Sequence, residues 1–438
     1  MKWRAYPKYK DSGVEWLGKV PEHWDVLRVK NFFEKKKEIN KGMKCENRLA
    51  LTMNGVIPRN IDDVEGLQSS DYETYQIFEK GDIAFKLIDL ENIKTSRVAF
   101  VPECGIMSPA YLRLKPLNED IGNFGYWYFM FLYWDCIFNS FGGGVRQSLS
   151  AEELGIVAFL SPSVPEQIEI TSFLDRETAK IDTIIQKQEK LIELLQEKRK
   201  ALISHAVTKG LNPDAPMKDS GVEWLEVVPE HWNILPLKRM AKVQLSNVDK
   251  HVVEGEQTIK LCNYIDVYKN ERITADMDFM VATASDEQIR RLALKKDDVI
   301  ITKDSESPDD IGVPGLVSDC IEGVVCGYHL SLLRSFQGVS DGAYLANILR
   351  SSYVKAVFTT LAVGMTRYGL GKYEIENIVL PLPPIDEQSA IASFLDREIS
   401  KIDTLIEKSR RSIELIKERR SALISAAVTG KIDVREAV

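Results

Sequence analysis

From residue 165 to 207, apolar side chains return at steps of three, four and seven: Leu174, Ile181, Ile184, Leu191, Leu195 and Leu202. The run has no glycine, and no proline after its opening residue, and is rich in Glu, Lys, Leu, Ile and Gln. This pattern predicts one long helix with a coiled-coil seam. A second run repeats it in register at Leu395, Ile402, Leu405, Ile416 and Leu423, and two helices with one seam each are natural partners. Polar seam residues Gln188, Lys198, Ser409, Ser412 and Arg419 imply a register kept specific at some cost in stability. Elsewhere the pattern shortens to runs with the β-branched and aromatic content of strands: GDIAFKLI from Gly81, SRVAFV from Ser96, DDVIITKD from Asp297 and VVCGYHLSLL from Val324. Apolar helices are expected at 126–138 and 344–361. The most apolar stretch, 126–134, is too short to span a bilayer.

The pattern is duplicated in sequence as well. KDSGVEWLGKVPEHWDV from Lys10 returns as KDSGVEWLEVVPEHWNI from Lys218, 208 positions later. EQIEITSFLDRETAKIDT from Glu166 returns as EQSAIASFLDREISKIDT from Glu387, 221 positions later. The frame blocks are kept, while the material between them differs in length and sequence. Aligned to Thr208 and Thr429, the helical segments share about 27 of 43 residues. The shared positions include charges: Asp175, Arg176, Lys180 and Asp182 against Asp396, Arg397, Lys401 and Asp403. A seam alone would not require these, so they suggest a surface binding two copies of another subunit; intrahelical ion pairs are the competing explanation. The fold class expected is α+β, with two mixed α/β modules of unlike sequence in a duplicated frame of two long helices.

Composition sets limits on function. The 438 residues are 44% hydrophobic and 28% charged, which suits a globular protein of two similar halves. The opening MKWRAYPKYK is polar and basic with no apolar segment behind it, and six cysteines show no CxxC or zinc spacing, so buried, reduced thiols in a cytoplasm are expected. Net charge is −8. The first sixty residues nevertheless carry 14 Lys and Arg against 7 Asp and Glu, which is compatible with DNA at one surface. Charge alone favours an ordinary solvated face.

Each module closes with a glycine-containing loop, GGGVRQSLS from Gly142 and VGMTRYGLG from Val363, in which Arg146 meets Arg367 across the 221 offset. Arg can contact guanine O6 and N7 in a bidentate manner, Gln can do so to adenine, and glycine lets backbone amides approach phosphates. Arg146, Gln147, Thr366, Arg367 and Tyr368 are therefore candidate DNA contacts, with Lys86 and Lys303 as weaker ones. Tyr328 and His329 could also reach bases, although a strand aromatic and a lone His are more often core or surface residues. No Asn/Asp-Pro-Pro-aromatic, phosphate-loop, Gly-rich cofactor or HExxH motif is present. No catalytic or metal-ligating residue is expected, and a coiled-coil scaffold remains the alternative to a DNA binder.

The opening KDSGVEWLG…VPEHW, the closing EQxxI…FLDRE…KID and the helix ending in ALIS…AVT together resemble the specificity subunit of type I restriction-modification systems, over the whole chain. The resemblance implies target recognition domains at 1–165 and 210–385, each reading one half of a bipartite, asymmetric site in double-stranded DNA. It implies helices at 166–209 and 386–438 that form an antiparallel coiled coil and dock two methyltransferase subunits. Those partners would use S-adenosylmethionine to methylate adenine N6, and a restriction subunit would use ATP and Mg to translocate and cut. A modification-only system would use the same chain without restriction. No cofactor and no membrane partner are implied for this chain.

Overall fold

The computed structural model describes residues 3–52, 55–60, 71–90, 97–141 and 148–435. It contains two compact units, one formed by residues 1–188 and 411–438 and the other by residues 189–410. The helices expected from the seam are Val164–Lys209 and Ile385–Val428, and each contributes to both units.

In the first unit a four-stranded sheet runs in the order Phe33–Lys36, Leu112–Pro116, Ile83–Phe85, Val98–Phe100. The helix Glu119–Trp134 lies on it, capped by the Asn118 side chain, which accepts from Ile121 N–H. Its Phe124, Tyr128 and Phe129 pack with Phe33, Phe85 and Phe159 into the core, largely through edge-on and tilted ring contacts. In the second unit the corresponding sheet runs Ala241–Leu245, Leu330–Ser335, Val299–Thr302, Pro314–Val317, with Arg272–Ile273 added at its edge. Two inserts of unlike sequence thus share one strand order. They also share an arginine paired with a buried aspartate at the start of the equivalent strand. Asp82 accepts from Glu79 N–H and from Arg113 Nε; Asp298 accepts from Lys295 N–H and is gripped by both ends of the Arg334 fork, at 2.7 and 2.6 Å. Asp82 therefore has a structural role. Among the described residues, no group of three or more His, Cys, Asp or Glu side chains could hold a metal ion.

The repeated blocks find each other within each unit. His23 Nε2 stands 2.8 Å from Glu166 Oε1, and the fully buried Trp24 donates to the same carboxylate. His231 Nε2 stands 2.8 Å from Glu387 Oε2, beside the fully buried Trp232. Each long helix ends in a left-handed glycine set against one of these tryptophans. A Cβ on Gly430 (φ +69°) would stand 2.5 Å from Pro21 and 3.1 Å from Trp24; one on Gly210 (φ +77°) would stand 3.2 Å from Trp232. The repeated phrase is therefore the joint between a module and the two helix ends beside it.

Within each unit the helices run antiparallel. Asp182 pairs with Arg420 at 3.1 Å in the first and Arg199 with Asp403 at 3.1 Å in the second, the same ion pair related by the 221 offset. The seam differs in part from the expected one. Leu174, Ile181, Leu195, Leu395, Ile402 and the polar seam residue Ser409 are buried, but Ile184, Leu191 and Leu405 are exposed, and Ile406 and Ile413 are buried instead. A straight helix drifts about 20° per heptad from a strict seven-residue repeat, which moves the contact line onto neighbouring positions.

Three other expectations are corrected. The segment 344–361 is two helices, Gly342–Leu349 and Ser352–Leu361, because Ser351 leaves helical geometry and caps the second by accepting from Val354 N–H. The run from Val324 is two strands, Val324–Cys326 and Leu330–Ser335. A Cβ on Gly327 between them would stand 2.6 Å from Cys262 O. All six cysteines are free, but Cys104, Cys136 and Cys320 are exposed rather than buried. No described helix is long and apolar enough to cross a membrane.

Candidate nucleic-acid interface

The loop bearing Arg367 is closed at its base by reciprocal hydrogen bonds, Val363 N–H to Gly369 O (3.2 Å) and Gly369 N–H to Val363 O (3.0 Å). It is stitched to the end of a sheet strand by the pairing of Tyr368 with Ser305 and Gly369 with Asp304, and by Leu370 N–H to Lys303 O at 2.9 Å. Met365 is 95% exposed at its tip with Thr366 and Arg367 exposed beside it, and Val363 at the base is 80% exposed. A tightly closed base with an apolar and cationic tip is suited to entering a groove. Gly364 allows the turn: a Cβ there would stand 1.9 Å from Arg367 O. Gly364→Ala is expected to displace the Arg367 backbone while leaving the unit folded. Hydrogen exchange should show faster loss of protection at Gly369 N–H and unchanged protection in strand Val299–Thr302; an unaltered Gly369 would sink the idea.

Sequence candidates converge beneath this tip. Lys303 Nζ donates to Asp304 Oδ2 at 2.7 Å and lies 5.0 Å from the Tyr328 ring centre. His329 Nδ1 lies 3.1 Å from Asp304 Oδ2, and Arg367 Nη2 lies 3.1 Å from His329 Nε2. Burial works to raise the Asp304 carboxyl, but hydrogen bonds from Lys303 and His329 outweigh it and hold the group below its ordinary range. Tyr264 and Tyr268 stack nearby at 5.5 Å, with Tyr264 donating to Ser305 Oγ. Asp304 was not among the sequence candidates. An acidic residue beside a lysine carries no spacing signal, and only the returning loop gives it a role.

In the first unit Leu149 N–H bonds Leu87 O at 2.9 Å, so the chain there returns to its sheet as it does at Leu370. Arg146 and Gln147 lie outside the described residues. Lys86 is half-buried, with its N–H bonded to Arg97 O.

The helix charges divide into two sets. Arg176 and Lys180 both reach Glu177, and Arg397 and Lys401 both reach Glu398, as exposed pairs along one helix. The aspartates bind across to other elements instead: Asp175 accepts from Trp127 Nε1, Asp182 meets Arg420, Asp396 accepts from Arg272, and Asp403 accepts from Arg199. Arg420 also lies against Trp127 and Trp134, at 5.9 and 5.2 Å, whereas its counterpart Arg199 binds Glu271.

The family model for the type I restriction modification DNA specificity domain matches twice, at residues 21–194 and 229–415. The chain belongs to this family. The type I specificity chain is 23% identical over 422 residues to the type I restriction enzyme MjaVIII specificity subunit of Methanocaldococcus jannaschii, covering 95% of each. It is 24% identical over 441 residues to the putative MjaX specificity subunit of the same organism, covering 96% of each. Among solved structures, one described as showing complex assembly and conformational transition of the type I R-M system matches with TM-score 0.70 and 13% identity, over 93% of this chain and 98% of that one. The HsdS subunit from Thermoanaerobacter tengcongensis matches with TM-score 0.54 and 13% identity, over 94% and 98%. At such identity these likenesses are of fold. The type I specificity fold thus carries both divergent modules and the helix frame.

Proposed function

We propose that the chain is the non-catalytic, DNA-reading subunit of a cytoplasmic type I restriction-modification complex. The module at 1–165 reads one half of a bipartite, asymmetric duplex site, and the module at 210–385 reads the other. The observation that carries this reading is one strand order holding two unlike sequences in a duplicated frame. Equivalent settings with different surfaces suit the recognition of two different half-sites. In the second module, Lys303, Thr366, Arg367 and Tyr368 are the proposed contacts; Arg146, Gln147 and Lys86 are those of the first.

The helices present Arg176, Lys180 and exposed Ile184 in the first unit, bordered by Asp175 and Asp182, and Arg397, Lys401 and exposed Leu191 and Leu405 in the second, with Asp396 and Asp403; each is a mixed surface suited to one copy of a methyltransferase subunit. The partners supply the chemistry: S-adenosylmethionine-dependent adenine N6 methylation, and ATP- and Mg-dependent cleavage by a restriction subunit. Footprinting of the chain with its methyltransferase subunits tests the reading. Two protected blocks across a fixed gap are expected, and exchange of the first insert should change one block alone. Absence of sequence-dependent protection would leave a scaffold, and methyl transfer by the chain without partners would overturn the non-catalytic role.

A further inference from the structure

The second module holds its exposed arginine through a side-chain relay, which extends the DNA-reading function proposed above and depends on it. Asp304 Oδ2 lies 3.1 Å from His329 Nδ1. Arg367 Nη2 lies 3.1 Å from Nε2 and 3.3 Å from Nδ1 of the same ring, so the guanidinium rests against the imidazole that Asp304 holds. Lys303 fixes the carboxylate from its other side, and the Tyr328 ring meets the His329 ring edge-on, with centroids 4.4 Å apart. An exposed arginine ordinarily samples many rotamers and loses that freedom on binding. Here one N–H of the guanidinium is occupied, and the others remain available at a tip whose backbone is closed by two hydrogen bonds. In the first module, the turn before strand Leu112–Pro116 carries Ser108, Pro109, Ala110 and Tyr111, with no histidine to play this part.

We propose that Asp304 and His329 are positioning residues that preorganise Arg367 to read a guanine in the major groove of the second half-site. The planar fork of arginine matches the O6 and N7 acceptors of guanine, and such a bidentate contact discriminates against other bases by roughly 5- to 150-fold. A guanidinium held in place reads one base pair, whereas a free one contacts phosphates and neighbouring bases indiscriminately.

The test is selection from duplexes with randomised positions by the full chain in complex with its methyltransferase subunits. With wild type, one guanine in the second half-site should be strongly preferred. Arg367→Ala should abolish that preference alone. His329→Ala should flatten the same base pair by at least several-fold, with the first half-site as an internal control for folding and assembly. His329→Gln should retain the preference, because its amide can donate to Asp304 and accept from Arg367; His329→Leu should not. Unchanged guanine preference in His329→Ala, or an even loss across all positions, would overturn the relay while leaving DNA reading intact. A wild-type complex with no sequence preference would overturn both.

Discussion

Arg113→Ala is expected to destabilise the first unit by about 3–5 kcal/mol, the cost of leaving one member of a buried ion pair without its partner. Arg113 and Asp82 are 3% and 1% exposed, and Arg113 also donates to Ile77 O and approaches Glu79. Burial already pushes the Asp82 carboxyl above its ordinary range, against the pull of the Glu79 amide and Arg113. Without the guanidinium it would rise further. A carboxyl whose folded pKa is raised is disfavoured as the anion, so the deficit should be largest near neutral pH and shrink on acidification. The double variant Arg113→Met with Asp82→Asn removes the orphaned charge, keeps an acceptor for Glu79 N–H, and should recover most of the loss. Denaturant unfolding at two pH values measures all three effects. A single-variant loss below about 1 kcal/mol would mean that water reaches Asp82.

Trp24→Ala should be comparably damaging, at about 3–5 kcal/mol for a fully buried tryptophan. Trp24 fills the joint between the repeated block, the glycine turn at 430 and the Glu166 carboxylate, with Tyr6 edge-on at 5.7 Å. Trp232→Ala removes the equivalent joint at Gly210. The two variants should lose similar stability, each in its own unit, as followed by hydrogen exchange in strands Ile83–Phe85 and Val299–Thr302. If exchange rises only at the helix termini, the tryptophans are local fillers and the joint is held by other contacts.

Much of the frame was legible in the sequence because its features are periodic or duplicated. A 3.5-residue apolar repeat without glycine can hardly be other than a long helix, and the blocks at Lys10 and Lys218 announce two like halves. The reason for the duplication was less visible. His23 meets Glu166 and His231 meets Glu387 across long sequence separations, and no spacing rule joins them. The seam failed at Ile184, Leu191 and Leu405, where helical drift governs which face is covered. The inserts were the hardest part, because Phe33–Lys36 and Ala241–Leu245 take equivalent places in their sheets with almost no residues in common. The exposed place of Arg367 on a closed loop was legible from the glycines that flank it. Asp304 was not, since its partners come from the loop and from a different strand.

The arginine that clasps the paired helices rests differently in the two halves. Arg420 lies against the rings of Trp127 and Trp134, while Arg199 is tied to the half-exposed carboxylate of Glu271. Dissolved salt screens exposed charges, with a Debye length of about 8 Å at physiological ionic strength, and weakens a contact with an aromatic face less when the cation is also packed against it. Rising ionic strength therefore loosens the second clasp before the first. A frame built from one repeated phrase responds unequally to its medium.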